Sequence, residues 1–119
     1  MKYATLIYIK PGSHDTDITE EEHAALSAEY AALRQEPQCV GGGHLQPVET
    51  ATSVRGDGLI TDGPFAETRE FLAGFNLIEA ADIDEAMRIA QQFPWARFGS
   101  IEVRPVRDMG AVRERVGAA

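Results

Sequence analysis

The chain has 119 residues, with 11 Lys and Arg against 19 Asp and Glu, a net charge of -8 and a pI near 4.8. That length suits one domain, and 44% hydrophobic with 25% charged residues is the balance of a folded globule rather than a disordered chain. The acidic excess argues against a nucleic-acid partner, the single Cys39 excludes an internal disulfide and a Cys-cluster zinc site, and no apolar run approaches the ~20 residues of a membrane helix.

Residues 3–9 (YATLIYI) are nearly all apolar and rich in aromatic and β-branched types, the composition of a central strand. Together with Lys2 they have the outline of a signal peptide. The run is short, however, and it ends at Lys10-Pro11 without a small-residue cleavage site, so a strand and a cytoplasmic location are expected. Pro11-Gly12-Ser13 closes it. Thr19-Glu20-Glu21-Glu22 then has the form of a capping box, with three acids at the positive end of a helix dipole. Leu26, Tyr30 and Leu33 follow at helical spacing, and Pro37 ends the helix near Glu36.

Cys39-Val40 leads into Gly41-Gly42-Gly43-His44-Leu45, a short strand interrupted by glycines and broken at Pro47. Residues 50–55 and 59–61 form a hairpin about Gly56-Asp57-Gly58, and Asp62-Gly63-Pro64-Phe65 punctuates it. A long strand over 71–79 is expected to place Phe71, Ala73, Phe75 and Leu77 on one face, with Leu72 and Ile78 on the other. Asp82 caps a second helix whose stripe is Ile83, Ala86, Met87 and Ala90, ended by Phe93-Pro94. Over residues 100–106, Ile101 and Val103 alternate with Glu102 and Arg104, and the tail from 107 has the pattern of a weak helical turn or two.

The order β-α-β-β-β-β-α-β is the ferredoxin-like βαββαβ plan of an α+β domain, elaborated by one extra hairpin. It gives a single domain with its core over 1–106 and a tail over 107–119. Two helices cover one face of a four-stranded sheet. The other face keeps large apolar side chains, and a second copy of the chain is the simplest cover. The expectation is a homodimer with sheet facing sheet, a dimeric α/β barrel.

Several residues invite a chemical reading. Asp62, held at a strand end by the Asp-Gly-Pro turn, and Glu67, on the short arch after it, are a candidate acid–base pair. Two carboxylates in one partly dry cleft have their pKa values pushed apart. The alternative is that Asp62 accepts backbone N–H groups to fix the turn while Phe65 plugs the core. His44, after three glycines, is a candidate base in a place where a ligand or another backbone could approach closely; the alternative is a bulge with a solvated imidazole. Glu102 and Arg104 on the non-helix side of the last strand could line the dimer cleft. There Arg104 would hold an anionic or carbonyl-bearing ligand and Tyr8 would add a hydroxyl; the alternative is a salt bridge. His23 shares a helical stripe with Leu26 and Tyr30 and reads as an edge residue, and His14 as an exposed loop residue. No metal spacing is recognisable, and Gly41-Gly42-Gly43 precedes no helix and no Lys-Ser/Thr, so neither a metal nor a cofactor is expected.

The segment Thr61-Asp62-Gly63-Pro64-Phe65-Ala66-Glu67-Thr68 resembles the DGPF motif of the YCII-related (DGPF-domain) family. The opening Met1-Lys2-Tyr3 strand, the stretch from Gly42 through Pro47 to Arg55, and Gly99-Ser100-Ile101-Glu102-Val103-Arg104-Pro105 resemble further segments of that family, in order over nearly the whole chain. The resemblance implies a ferredoxin-like dimeric α/β barrel. It also implies an accessory setting beside sigma factors of the extracytoplasmic-function type, hence a regulatory protein partner. Members of the wider group have a His–Asp pair in a cleft, the His from the first helix and the Asp from the end of the second. Here Leu26 and Phe93 fall at or beside those positions, so that dyad is not expected. Two readings of function follow: a small-ligand-binding or regulatory accessory homodimer, and a cofactor-independent small-molecule enzyme using Asp62, Glu67 or His44.

The charge is unevenly spread. Residues 14–36 hold seven acids and one Arg, whereas residues 97–115 hold five Arg and three acids. A globally acidic protein can therefore still present an anion-friendly surface on its last strand.

Overall fold

The computed structural model describes residues 1–10, 18–63 and 70–108. In chain order these form β1 (Lys2–Ile9), α1 (Glu20–Arg34), β2 (Cys39–His44), a 3₁₀ turn (Val48–Thr50), β3 (Thr52–Val54), β4 (Ile60–Asp62), β5 (Phe71–Glu79), α2 (Ile83–Ala90), a second 3₁₀ segment (Pro94–Phe98) and β6 (Gly99–Pro105). Four strands make one sheet in the order β2-β5-β1-β6, every neighbour antiparallel, and β3 pairs with β4 separately. This is the ferredoxin-like α+β arrangement, with the extra hairpin set apart from the main sheet.

Local chemistry accounts for the helix starts. The Thr19 hydroxyl accepts from the Glu22 N–H at 3.1 Å, and the Thr19 N–H donates to the Glu22 carboxylate at 3.4 Å, completing the capping box of α1. Asp82 does the same work at α2, accepting from the Glu85 N–H at 2.9 Å.

One face of β1 is buried throughout: Tyr3, Thr5, Ile7 and Ile9 lie under the helices with Tyr30, Ile78, Ala86, Phe93, Trp95 and Phe98. Each large apolar side chain so buried stabilises the fold by roughly 1.5–3 kcal/mol. Within this layer Thr5 and Asn76 are completely enclosed. The Thr5 hydroxyl donates to the Asn76 carbonyl at 3.1 Å, and the Asn76 amide Nδ2 donates to the Tyr30 hydroxyl at 2.7 Å, tying α1 to the sheet.

Two register breaks decide which face each later residue takes. Between Ile7 and Tyr8 the pairing with β5 slips, because Ala73 is an extra residue between Gly74, opposite Ile7, and Leu72, opposite Tyr8. Strict alternation along 71–79 therefore fails. Phe71, Gly74, Asn76 and Ile78 face the helices, whereas Leu72, Phe75 and Leu77 face the open side, which corrects the expectation that Phe71, Ala73, Phe75 and Leu77 share a face. A second slip, at Val40, sets Gly41 and Gly43 beside Leu77 and Phe75 and turns Gly42 and His44 toward the helices. Gly42 has φ of 142°, and a Cβ there would stand 2.8 Å from the Asn76 Oδ1, so only glycine fits this crossing.

The hairpin is built as its sequence suggests. Arg55 and Leu59 bracket the loop, the Arg55 N–H donating to the Leu59 carbonyl at 2.7 Å, and Gly58 takes φ of 88°. Its root is held by the Ser53 hydroxyl donating to the Gly63 carbonyl at 2.8 Å. Val54, Leu59 and Ile60 are exposed on it.

The open face of the main sheet carries Ala4, Leu6 and Tyr8 from β1, Leu72, Phe75 and Leu77 from β5, and Ser100, Glu102 and Arg104 from β6. No helix of the described residues covers it, and none is long and apolar enough to cross a membrane.

Candidate functional site

A cavity of about 220 Å³ lies between α1 and the sheet, lined by Ile7, Ile9, His23, Tyr30, His44, Ala73, Gly74 and Trp95. It follows from the packing just described. His23, Leu26 and Tyr30 repeat at three- and four-residue steps along α1 and so descend one face of the helix. Ile7 and Ile9 form the floor. The bulge at Ala73 and the bare backbone of Gly74 leave space beside them, and His44 at the end of β2 stands opposite Gly74 at the exposed rim.

The walls are aromatic and fixed by ring contacts. Tyr30 meets Phe93 edge-on at 5.7 Å between centroids and Trp95 at 6.0 Å with planes 74° apart. His23 lies 5.7 Å from Trp95, tilted by 45°, and Phe98 supports Trp95 from 6.0 Å. The Tyr30 hydroxyl oxygen takes the Asn76 N–H, and among the described residues nothing accepts its proton. Among the described residues, two further polar atoms in this layer, the Asn76 Oδ1 and the Trp95 Nε1, are sealed from solvent without a partner. The polar side chains at the cavity are therefore, among the described residues, a phenol, two imidazoles and an indole, without a carboxylate.

The residues singled out from the sequence do not gather here as a set. His44 reaches the cavity. Tyr8, Glu102 and Arg104 lie on the opposite face of the sheet, where Arg104 Nε stands 3.6 Å from Glu102 Oε2 and both side chains are largely exposed. His44 and Arg104 thus lie on opposite faces of the sheet, because the slip at Val40 turns His44 to the helix side. Tyr8 and Arg104 pair with Ser100 and Ala4 respectively, four residues apart along the strands, or about 13 Å. Asp62 ends β4 in the separate hairpin, exposed and outside the cavity lining. Phe65, Glu67, His14 and the tail from 109 lie outside the described residues. His23, Tyr30 and Trp95 were not among the sequence candidates, although the His23-Leu26-Tyr30 spacing held the signal for the first two.

A second depression is lined, among the described residues, by Met87, Ala90, Gln91, Ala96, Ile101 and Val103, none of them an acid–base group. Cys39 lies away from both. Burial pushes its thiol up, Arg34 opposes this and Glu36 adds to it, and the Sγ–H donates to the Leu33 carbonyl at 3.3 Å. Among the described residues no group of three or more His, Cys, Asp and Glu is placed to hold a metal ion.

The YCII-related domain matches residues 1–110. The chain belongs to the YCII-related family. An uncharacterized protein of Rhizobium meliloti (strain 1021) is 36% identical over 121 residues, spanning 89% of this chain and 92% of its own length. Among solved structures, this YCII-related chain is similar to 5-chloro-2-hydroxyhydroquinone dehydrochlorinase from Burkholderia phenoliruptrix AC1100, determined in complex with 2,5-dihydroxybenzoquinone. The TM-score is 0.53 at 18% identity, covering 90% of this chain and 94% of that one, a likeness of fold. Leu26 and Phe93, which fall at or beside the positions where the family resemblance points to a His–Asp pair, are apolar and turned inward: Leu26 packs on the core and Phe93 is 2% exposed.

Proposed function

We propose that this YCII-related protein is a homodimer that binds a small ligand in the cavity between α1 and the sheet, in a regulatory or accessory role. The observation that carries the reading is the convergence of His23, His44, Tyr30 and Trp95 on one mostly apolar cavity. Small-molecule sites have this make-up, an apolar body with a few polar groups that set orientation. The dimer rests on the open face, where Leu6, Tyr8, Leu72, Phe75 and Leu77 form an apolar field beside Glu102 and Arg104. A two-fold axis passing between Glu102 and Arg104 would set opposite charges against each other across that face, as a self-complementary interface with a second copy needs. Arg104, Glu102 and Tyr8 then serve the interface, and two sheets closing on each other form the α/β barrel.

Catalysis is the second reading, and a specific observation favours it: the imidazoles of His23 and His44 line one cavity, and imidazole both takes and gives protons near neutral pH. In that case His44 moves the proton at the rim. The solved relative of similar fold is itself an enzyme, which accords with this reading. Asp62 and Glu67 would belong to it only if the DGPF segment reached the same cavity.

The test has two arms. Sedimentation at micromolar concentration should give a dimer; a stable monomer overturns the open-face argument. Thermal unfolding across a panel of small metabolites should give stabilisation by at least one compound, with the resonances of Trp95 and His23 shifting on binding. A panel with no shift, or shifts confined to the open face, overturns the cavity reading. Product formation from any bound compound, abolished by His44→Gln, would favour the enzyme over the accessory role.

A further inference from the structure

We infer that Ala73, the residue the bulge adds to β5, sets the size of what the cavity takes, and that the group received there is apolar and no larger than one six-membered ring. The inference rests on the cavity being a ligand site and names what bounds that site.

The bulge makes the space. It leaves Ala73 without a partner in β1, between Gly74 opposite Ile7 and Leu72 opposite Tyr8. A bulge re-aims a side chain, and here Ala73 turns to the helix side, 8% exposed and packed in the core cluster with Ile7, Ile9 and Tyr30. Ala73 and Gly74 therefore stand side by side on the cavity with one methyl group between them. The flanking positions on that face carry Phe71 and Asn76.

Of these two small residues only Ala73 is free to vary. A Cβ at Gly74 would stand 2.9 Å from the Gly43 carbonyl oxygen, so that position is closed to any side chain. The bulge itself is held by the backbone, with the Leu45 N–H donating to the Ala73 carbonyl at 2.8 Å. Among the described residues positive φ occurs only at Gly42, Gly58 and Gly63, so the backbone at Ala73 suits a larger side chain. The identity of residue 73 thus decides how much of the space stays open.

Volume then fixes the size class. A cavity of about 150 Å³ with apolar walls holds one benzene, and in proportion to carbon number two fused rings need roughly 250 Å³. The space here is about 220 Å³. Ile7, Ile9 and Ala73 give it an apolar floor, and Tyr30 and Trp95, with ring planes 74° apart, give it two aromatic walls. Leucine at 73 would add three carbons, roughly 75 Å³ on the same scale, and leave less than one ring needs. A close-packed core loses stability when a side chain in it grows, whereas growth into open space adds apolar burial. Binding and stability moving in opposite directions is therefore what a size-setting Ala73 predicts.

Trp95, the one tryptophan of the chain, lies in the wall, so its ring resonances report the cavity. The experiment follows them during titration with benzyl alcohol and with naphthalene-2-methanol, which differ by one fused ring. Benzyl alcohol should bind. The naphthalene compound should bind no more tightly, although its larger apolar surface would raise affinity in an unbounded groove. Ala73→Leu should weaken benzyl alcohol about tenfold or more, the cost of forcing a ring into a filled site, while Tm rises by roughly 2–8 °C, as filling a cavity does. Ala73→Val should fall between the native protein and Ala73→Leu in both measures, and it decides the matter if the leucine variant fails to fold. Tighter binding of the naphthalene compound overturns the one-ring limit. Native affinity for benzyl alcohol in the variants, or a lowered Tm in the valine variant, overturns the role of Ala73 while the cavity stands. A protein whose Trp95 resonances shift with a compound of the metabolite panel but with neither alcohol overturns the size class. No shift with any compound overturns the cavity reading itself.

Discussion

The two faces of the central sheet are made from the same strands and finished differently. On the helix side β1 contributes Tyr3, Thr5, Ile7 and Ile9, all buried, and even the polar Thr5 and Asn76 are enclosed and bonded. On the other side the same strand contributes Ala4, Leu6 and Tyr8, which stay half-exposed, and β5 adds Leu72 at 39% exposure. Alternation along a strand would ordinarily make a face of this sort polar. Here it is apolar over Ala4, Leu6 and Tyr8 of β1 and over Leu72, Phe75 and Leu77 of β5, with Lys2 and Glu79 paired at one end and Glu102 and Arg104 along β6. One face therefore carries the stability of the single chain, and the other holds apolar surface whose burial would stabilise an assembly. Substitutions on the two faces should separate these contributions cleanly.

The largest effect should come from the finished side. Phe93 is 2% exposed and packs edge-on against Tyr30 in the cluster that also holds Ile7, Trp95 and Phe98. Phe93→Ala removes a whole ring from a close-packed core and should cost about 3–5 kcal/mol, read from urea unfolding. Trp95 loses support with it, so ligand binding should fall as stability does. A loss below about 1 kcal/mol would mean that this cluster is not the core that holds the chain together.

The contrasting substitution is Leu77→Asp on the open side. Leu77 pairs with Ala4 and touches the bare backbone of Gly41, with nothing of the described helices above it. In a monomer the new carboxylate stays in water and the change should be small, within about 0.5 kcal/mol. In a sheet-to-sheet dimer two such carboxylates would be buried against each other, and association should weaken at least a hundredfold by sedimentation. Equal dimerisation of both proteins would place the interface elsewhere, with the exposed Val54, Leu59 and Ile60 of the hairpin as the next surface to alter.

The comparison also shows which parts of the molecule could be read from residues alone. Both helices were legible because their caps are local: Thr19 with Glu22, and Asp82 with Glu85, announce a start within four residues. The hairpin was legible for the same reason, through Gly56-Asp57-Gly58. What failed was facing. Ala73 and Val40 are extra residues in their ladders, and nothing in their identity announces a bulge; each inverts the alternation beyond it. That is why Phe75 and Leu77 changed sides relative to Phe71, and why His44 faces the helix side, away from Arg104. The cavity was half legible: His23 and Tyr30 stood on one helical stripe, but Trp95 joins them across more than sixty residues of sequence, a contact that only the closed fold makes.

The smallest predicted effect concerns Cys39, which lies at the edge between the two clusters of the finished face. Burial raises its thiol above the ordinary value, partly offset by Arg34, and the Sγ–H donates to the Leu33 carbonyl. A raised acid is one whose neutral form the fold prefers. That contribution to stability is whole below the thiol's unfolded value and is lost as pH climbs through the raised folded value. Because the side chain is only partly covered, the loss of stability should be slight, and reactivity is the better measure. At about pH 8, iodoacetamide should alkylate the folded protein several times more slowly than a small thiol, and urea should restore the ordinary rate. A folded rate equal to the unfolded one would place Cys39 outside the enclosed layer, and the boundary between the two faces would then run inside β2 rather than beyond it.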